Sequence, residues 1–273
     1  MADHYENFPV ASWLLPKALR APIAEIYRFA RTADDIADEG DAPPEARRQR
    51  LKAFDAALEE VERAMAEGRE FLAATPEPQL FQRLAAVIRQ HRLPVRHFHD
   101  LLSAFSQDVR KRRYADFPEV LDYCRRSANP VGRLLLCLCG KETEADLARS
   151  DAICSALQII NFCQDVALDW QKGRVYLPQA DLRHFGVHEA DIAAARHTPE
   201  FCALMQFETE RARLLMLQGA SLSSDLPGRL SWEIRLTVQG GLRILEKIKN
   251  VNYDVFRRRP TLKTLDWLRM IRG

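Results

Sequence analysis

The chain has 273 residues, of which 29% are charged and 47% apolar, with a net charge of +2. That is the composition of a globular protein with enough chain to bury a large core. The near balance of charge gives no global nucleic-acid signature, and no run of about 18 apolar residues could span a bilayer. No signal peptide opens the chain, so a cytoplasmic protein is expected, with at most peripheral membrane contact.

Helical periodicity runs almost throughout, and no segment alternates polarity as a half-buried strand would. After a short helical piece near 9–19, a helix is predicted over 22–39. One of its faces carries Tyr27, Arg31, Asp34 and Asp38, while Ile26, Phe29 and Ile36 make the helix apolar enough for a core. Asp35 and Glu39 lie about 100° away from that face. Helices follow at 43–67, 79–91 and 95–113, the last ending in the basic run Arg110-Lys111-Arg112-Arg113. The next, at 117–139, contains Tyr123, Arg126, Asn129 and Pro130, and the proline should kink it by removing a backbone bond.

A helix predicted over 143–171 carries a second polar stripe, Gln158, Asn161, Asp165 and Asp169, in the apolar run around Ile159, Ile160 and Phe162. The tail Gln171-Lys172-Gly173-Arg174-Val175-Tyr176 comes one turn later. Short helical pieces at 179–194 and 261–271 flank longer ones at 199–224 and 228–252, and a second basic run is Arg257-Arg258-Arg259. Each basic run reads either as a solvated helix end or as an attraction for anions. Gly40 with Pro43-Pro44, Thr75-Pro76, Pro94, Gly140, Pro178, Pro227 and Pro260 punctuate the helices. No Pro/Gly/Ser-rich linker divides residues 1–273, so one all-α domain around a deep central cavity is expected.

The two acidic stripes are the main chemical signal. Both sit in helices built for burial, and buried carboxylates are costly unless a cation compensates them. Mg²⁺ takes oxygen ligands and commonly binds through one or two carboxylates plus substrate phosphates. Asp34, Asp38, Asp165 and Asp169 are therefore the candidate ligands of a Mg²⁺–diphosphate cluster. Asn161 and Gln158 are candidate contacts to the metal's water or the phosphate. Arg31, Lys172 and Arg174 are candidate diphosphate clamps, since arginine binds phosphate in a bidentate fork. Phe8, Phe29, Phe162 and Tyr123 are candidates for the aromatic lining of a dry pocket beside that cluster.

Other chemistries lack their motifs. No histidine forms a His-Glu-x2-His pair, and neither a Gly-x-Gly fingerprint nor a Gly-x4-Gly-Lys loop occurs. The six cysteines lack Cys-x2-Cys spacing and read as free core thiols.

At these residues the chain resembles the squalene/phytoene synthase family. Asn7-Phe8 and Leu14-Leu15-Pro16 look like the family's opening segment, and Tyr27-x3-Arg31-x2-Asp34-Asp35-x2-Asp38-Glu39 is similar to its first acidic motif. Asp122-Tyr123-Cys124 and Ala128-Asn129-Pro130-Val131-Gly132 sit where the family has its tyrosine and Ala-Gly-x-Val-Gly segment. Gln158-x2-Asn161-x3-Asp165-x3-Asp169 with Gly173-Arg174-Val175-Tyr176-Leu177-Pro178 is similar to the second motif and its tail. The resemblance implies an isoprenoid-synthase-type helical bundle, Mg²⁺ as cofactor, a prenyl diphosphate substrate, and Tyr27 and Tyr176 beside it. It also implies that Tyr123 stabilises a cation or relays a proton. Relative to the eukaryotic squalene synthase pattern, Arg126 replaces a second tyrosine and Asn129 a glycine. Both could orient a water molecule; the plainer alternative has Arg126 facing solvent and Asn129 filling the kink.

The blocks from His4 to Ser12, Arg28 to Asp41 and Ser127 to Arg133 are similar to the bacterial hydroxysqualene synthase branch. That branch implies ionisation of presqualene diphosphate, rearrangement and capture of water without a reductant, coupled to the other enzymes of the squalene route. Two readings stay beside it: a presqualene diphosphate or phytoene synthase, and a non-catalytic helical partner in a terpenoid complex.

Overall fold

The computed structural model describes residues 16–71 and 75–272, and among them every regular element is an α-helix. In chain order these are α1 (Lys17–Asp38), α2 (Pro44–Ala66), α3 (Pro78–His91), α4 (Arg96–Asp108), α5 (Phe117–Ser127), α6 (Asn129–Leu138) and α7 (Glu144–Gln164). They continue with α8 (Val166–Gln171), α9 (Gln179–Phe185), α10 (Glu189–Ala193), α11 (Pro199–Gly219), α12 (Leu222–Asp225), α13 (Gly228–Asn250) and α14 (Thr264–Arg272). The all-α expectation holds, and no described helix is long and apolar enough to cross a membrane. Phe8 and most of the helical piece expected at 9–19 lie outside the described residues.

Described residues 16–71, 75–111 and 125–147 form one compact unit. In α2 the spacing Leu51, Phe54, Leu58, Val61 brings one apolar stripe inward and leaves charged residues outside. That stripe meets α1 and α4, and α3 closes on α1. Phe29 lies at the centre of an aromatic cluster, 5.4 Å from Phe98 and 6.0 Å from Phe81, both edge-on, and 6.2 Å from Phe54. Each such pair adds about 0.5–1.5 kcal/mol beyond the area it buries. Phe29 has no exposed surface, so the expectation that it lines a reaction cavity is corrected: its ring belongs to the packed core.

Residues 112–124 and 148–272 form the second unit. Here α11 packs on α13 and α9, and α14 packs on α13. Two glycines permit close approach: a methyl on Gly219 would lie 2.4 Å from the Arg149 carbonyl oxygen of α7, and one on Gly241 would lie 2.6 Å from Met216 Cε of α11. Asp266 at the start of α14 anchors that helix, bonding Arg243 at 2.8 Å, Lys247 at 2.5 Å and the Lys263 N–H at 2.8 Å.

Several boundaries depart from the periodicity. The helix expected over 95–113 stops at Asp108, because residues 112–115 turn away to bond the chain beyond α8. The helix expected over 117–139 divides at Ala128, as Pro130 requires, and the proline takes the second position of α6, where its missing N–H costs nothing. The helix expected over 143–171 divides at Asp165, whose φ of −105° and ψ of 16° leave helical space. No glycine or proline accounts for that break. It occurs where a distant segment docks on Gln164 and Asp165. The piece expected at 199–224 is α11 followed by the single turn α12, and that at 179–194 is α9 and α10.

Candidate active site

In the first unit, α1 displays the first acidic stripe. Arg31 reaches Asp35 at 2.7 Å, Glu39 at 2.8 Å and Asp34 at 3.4 Å. Burial of Arg31 opposes its charge, but Asp35, Asp34 and Glu39 outweigh it and hold the guanidinium pKa above its ordinary value. Asp35 and Glu39, which sequence placed off the stripe, are thus tied to it through Arg31. Tyr27, Asp34 and Asp38 are only partly buried. The burial expected of this helix face is thus partial, which leaves its carboxylates within reach of water.

Arg126 and Asn129 flank the α5–α6 break of the same unit. Arg126 donates from Nη2 to Gln107 Oε1 at 2.7 Å and from Nη1 to Ser103 Oγ at 3.1 Å, tying the end of α5 to α4. Asn129 is buried at the start of α6, and beside it Ser127 Oγ is buried without a hydrogen bond.

In the second unit, Asp165 stands at the break and Asp169 one turn on, linked by the Asp169 N–H to Asp165 carbonyl bond of 2.8 Å. Both carboxylates, with Gln158 and Asn161, are partly buried. Lys172 is exposed, whereas Arg174 is buried. Asp169, Arg174, Phe162, Val166, Val175, Tyr176 and Leu177 line a cavity of about 10 Å³, room for a single water. The predicted carboxylate and the predicted clamp therefore share one wall with two aromatic rings.

The tail is held by the basic run preceding α5. Val175 N–H bonds the Arg112 carbonyl at 2.9 Å, and Gln179 N–H bonds the Tyr114 carbonyl at 2.8 Å. Arg113 donates to the Gly173 carbonyl at 2.7 Å and to Glu189 Oε2 at 2.7 Å. This lacing seats Tyr114 in an aromatic box. Phe162 and Tyr176 stack at 3.9 Å and 5°, and Tyr123 packs on Tyr114, Tyr176 and Phe162 at 5.6, 5.9 and 6.0 Å. All four rings are buried.

Arg259, from the second basic run, grips the carboxylate of Asp165 with both ends of its fork: Nε to Oδ1, and Nη2 to Oδ2 at 3.0 Å. The bond to Asp165 comes first in holding Arg259 above its ordinary pKa; burial opposes it, and the charges of Asp165 and Asp169 add to it. Sequence reasoning singled out neither Arg259 nor Tyr114 nor Arg113 as a site residue. The basic runs were the visible signal, but their partners lie far along the chain.

No three His, Cys, Asp or Glu side chains among the described residues form a ready-made metal site. The donors instead come as helical pairs of carboxylates with an arginine in the cavity wall beside Asp169. That donor set fits Mg²⁺ that arrives with a diphosphate supplying its remaining oxygens.

A family model described as squalene/phytoene synthase matches residues 1–266. The chain belongs to the squalene/phytoene synthase family. It is 34% identical over 270 residues to a hydroxysqualene synthase of Sinorhizobium fredii (strain NBRC 101917 / NGR234), covering 98% of this chain and 87% of that protein. A 15-cis-phytoene synthase of Synechococcus elongatus is 28% identical, over 96% of this chain and 86% of its own length. The crystal structure of squalene synthase HpnC from Alicyclobacillus acidocaldarius aligns with a TM-score of 0.79 at 38% identity, covering 92% of this chain and 90% of that one.

Proposed function

We propose that this protein is a hydroxysqualene synthase, converting presqualene diphosphate to an alcohol with Mg²⁺ in the route to squalene. The carrying observation is the joint lining of one wall by Asp169, Arg174, Phe162 and Tyr176, with Tyr123 boxed by Tyr114, Phe162 and Tyr176. The similarity to the Sinorhizobium hydroxysqualene synthase over nearly the whole chain supports the branch.

When bound, Mg²⁺ would neutralise the departing diphosphate and lower the barrier to C–O cleavage. In one unit Asp165 and Asp169 at the α7–α8 break, and in the other Asp34 and Asp38 on α1, are each a carboxylate pair that would take such an ion. Arg174 would bind diphosphate oxygens through its planar fork, aided by Lys172, and Arg31 is the candidate clamp beside the α1 carboxylates. Arg174 sits in a buried wall, where a charge-assisted bond is stronger than in water. Tyr123, Phe162 and Tyr176 would present aromatic faces to the cation and exclude adventitious water. The polar groups of Asn129 and Ser127 at the α5–α6 break would orient the captured water, while Arg126 fixes the end of α5 against α4.

The test is product analysis. Pure protein with Mg²⁺ and presqualene diphosphate, without NADPH, should release an alcohol whose oxygen comes from isotopically labelled water. Formation of phytoene from geranylgeranyl diphosphate would move the chain to the phytoene synthase branch. An absolute need for NADPH would remove the water-capture step.

A further inference from the structure

The segment that links α13 to α14 is a strap laid over the α7–α8 break. It leaves α13 through two consecutive left-handed residues, Asn252 at φ 52° and Tyr253 at φ 63°, neither a glycine. Such a pair is costly and persists where surrounding contacts hold it. Here the Asn252 and Tyr253 N–H groups bond back to α13, to the Lys249 and Ile248 carbonyls at 2.8 and 2.9 Å, and the Asn252 carbonyl lies 2.8 Å from His197 Nε2. In mid-strap, Gln164 Nε2 donates to the Pro260 carbonyl at 2.7 Å in a fully buried contact. At its far end Asp266 receives Arg243, Lys247 and the Lys263 N–H. Between these anchors Arg259 is delivered to Asp165.

We infer that Arg259 is a built-in counter-ion that competes with the divalent cation for Asp165 and weakens cation binding until diphosphate is present. The inference rests on the reading of Asp165 as a cation ligand given under the proposed function. Its own basis is the occupancy of both carboxylate oxygens. A bidentate guanidinium takes two of the carboxylate's roughly four lone-pair sites and offsets its charge, so a cation reaching the remaining sites is held less strongly. The strap is pinned at Pro260, immediately beside Arg259, so the fork is preorganised and withdraws only if neighbouring contacts give way. A divalent ion alone supplies no anion to receive the released guanidinium. Diphosphate brings the anion with which a displaced guanidinium can pair, so binding of the cation and of diphosphate should each favour the other.

The experiment measures cation binding, not turnover. Calorimetric titration of Mn²⁺ or Mg²⁺ into the full-length protein without substrate is compared across variants. Arg259→Gln should bind the cation about tenfold more tightly than wild type, the worth of one partly exposed charge-assisted fork. Arg259→Lys, which keeps the charge but loses the fork, should fall between them. Arg258→Gln removes the same charge from an exposed neighbour and should leave the affinity unchanged. If Arg259→Gln folds poorly, the Lys variant decides. Affinities equal to or weaker than wild type in both Arg259 variants overturn the inference, as does an equal gain from Arg258→Gln. Asp165→Asn, titrated with Mg²⁺ and inorganic diphosphate together, tests the underlying reading separately. Unchanged joint binding there removes Asp165 as a ligand, whereas lost joint binding with no gain in the Arg259 variants removes the counter-ion alone.

Discussion

Glu208 should make this protein less stable as the pH rises from mildly acidic to mildly alkaline. Its carboxylate is 1% exposed on α11. Arg211 Nη1 bonds Asp181 Oδ2 at 2.8 Å and both oxygens of Glu208 at 3.1 and 3.2 Å. The guanidinium is itself sandwiched, 4.0 Å from the Phe117 ring centre and 4.4 Å from that of Phe207. One cation thus faces two carboxylates in a poorly hydrated place. Burial first, and then the neighbouring Asp181, push the Glu208 carboxyl from its ordinary 4.5 up to about 8, against the pull of Arg211.

Between those two values the folded protein keeps a proton that the unfolded chain has released. Stability therefore falls as pH rises through this window and levels off above it. At 1.36 kcal/mol per pH unit the full window is worth at most about 5 kcal/mol, and relaxation around the shared guanidinium should leave roughly 2–4. Glu208→Gln mimics the protonated acid at every pH. Urea unfolding of both proteins from pH 5 to pH 9 should give curves that nearly coincide at pH 5 and diverge upward, with the variant more stable at pH 9. If the variant shows the wild-type slope, or if wild type gains stability relative to it with rising pH, the assignment of a buried proton to Glu208 is wrong.

Gly219→Ala should destabilise the fold by about 1–3 kcal/mol despite alanine's better helix propensity, because the new methyl meets the Arg149 carbonyl at 2.4 Å; thermal unfolding measures it. Asp266→Asn should cost about 1–3 kcal/mol at neutral pH by removing the buried carboxylate charge shared by Lys247 and Arg243, although Arg243 keeps its pair with Glu246. Burial works against the Asp266 charge, but Lys247, the Lys263 N–H and Arg243 outweigh it and hold the pKa below 3.8, so the deficit seen in urea titrations should shrink as pH falls below that value. Arg174→Lys should raise the inhibition constant for inorganic diphosphate with Mg²⁺ by roughly tenfold, and no change would remove Arg174 from the clamp. Asp38→Ala and Asp169→Ala should each lower turnover by orders of magnitude while circular dichroism stays that of the parent; full activity in EDTA would remove the metal from the mechanism.

Local regularities were legible in the chain itself. The 3.6-residue period gave the helices, and spacings of four placed Asp34 with Asp38 and Asp165 with Asp169, because a helix face depends only on neighbours along the chain. Pro130 marked the α5–α6 break for the same local reason. What the tertiary structure decided involves partners far apart in sequence. Arg259 meets Asp165 across 94 positions, and no periodicity encodes that pairing or the break it accompanies. Tyr114 enters the aromatic box because residues 112–115 lace to the tail beyond α8, a contact that cut short the helix expected to run to residue 113. Phe29, by pattern equally fit for a cavity wall, went to the core because Phe54, Phe81 and Phe98 converge on it. Which face of a helix is apolar is written in the residues, but what that face meets is settled only when the other helices arrive.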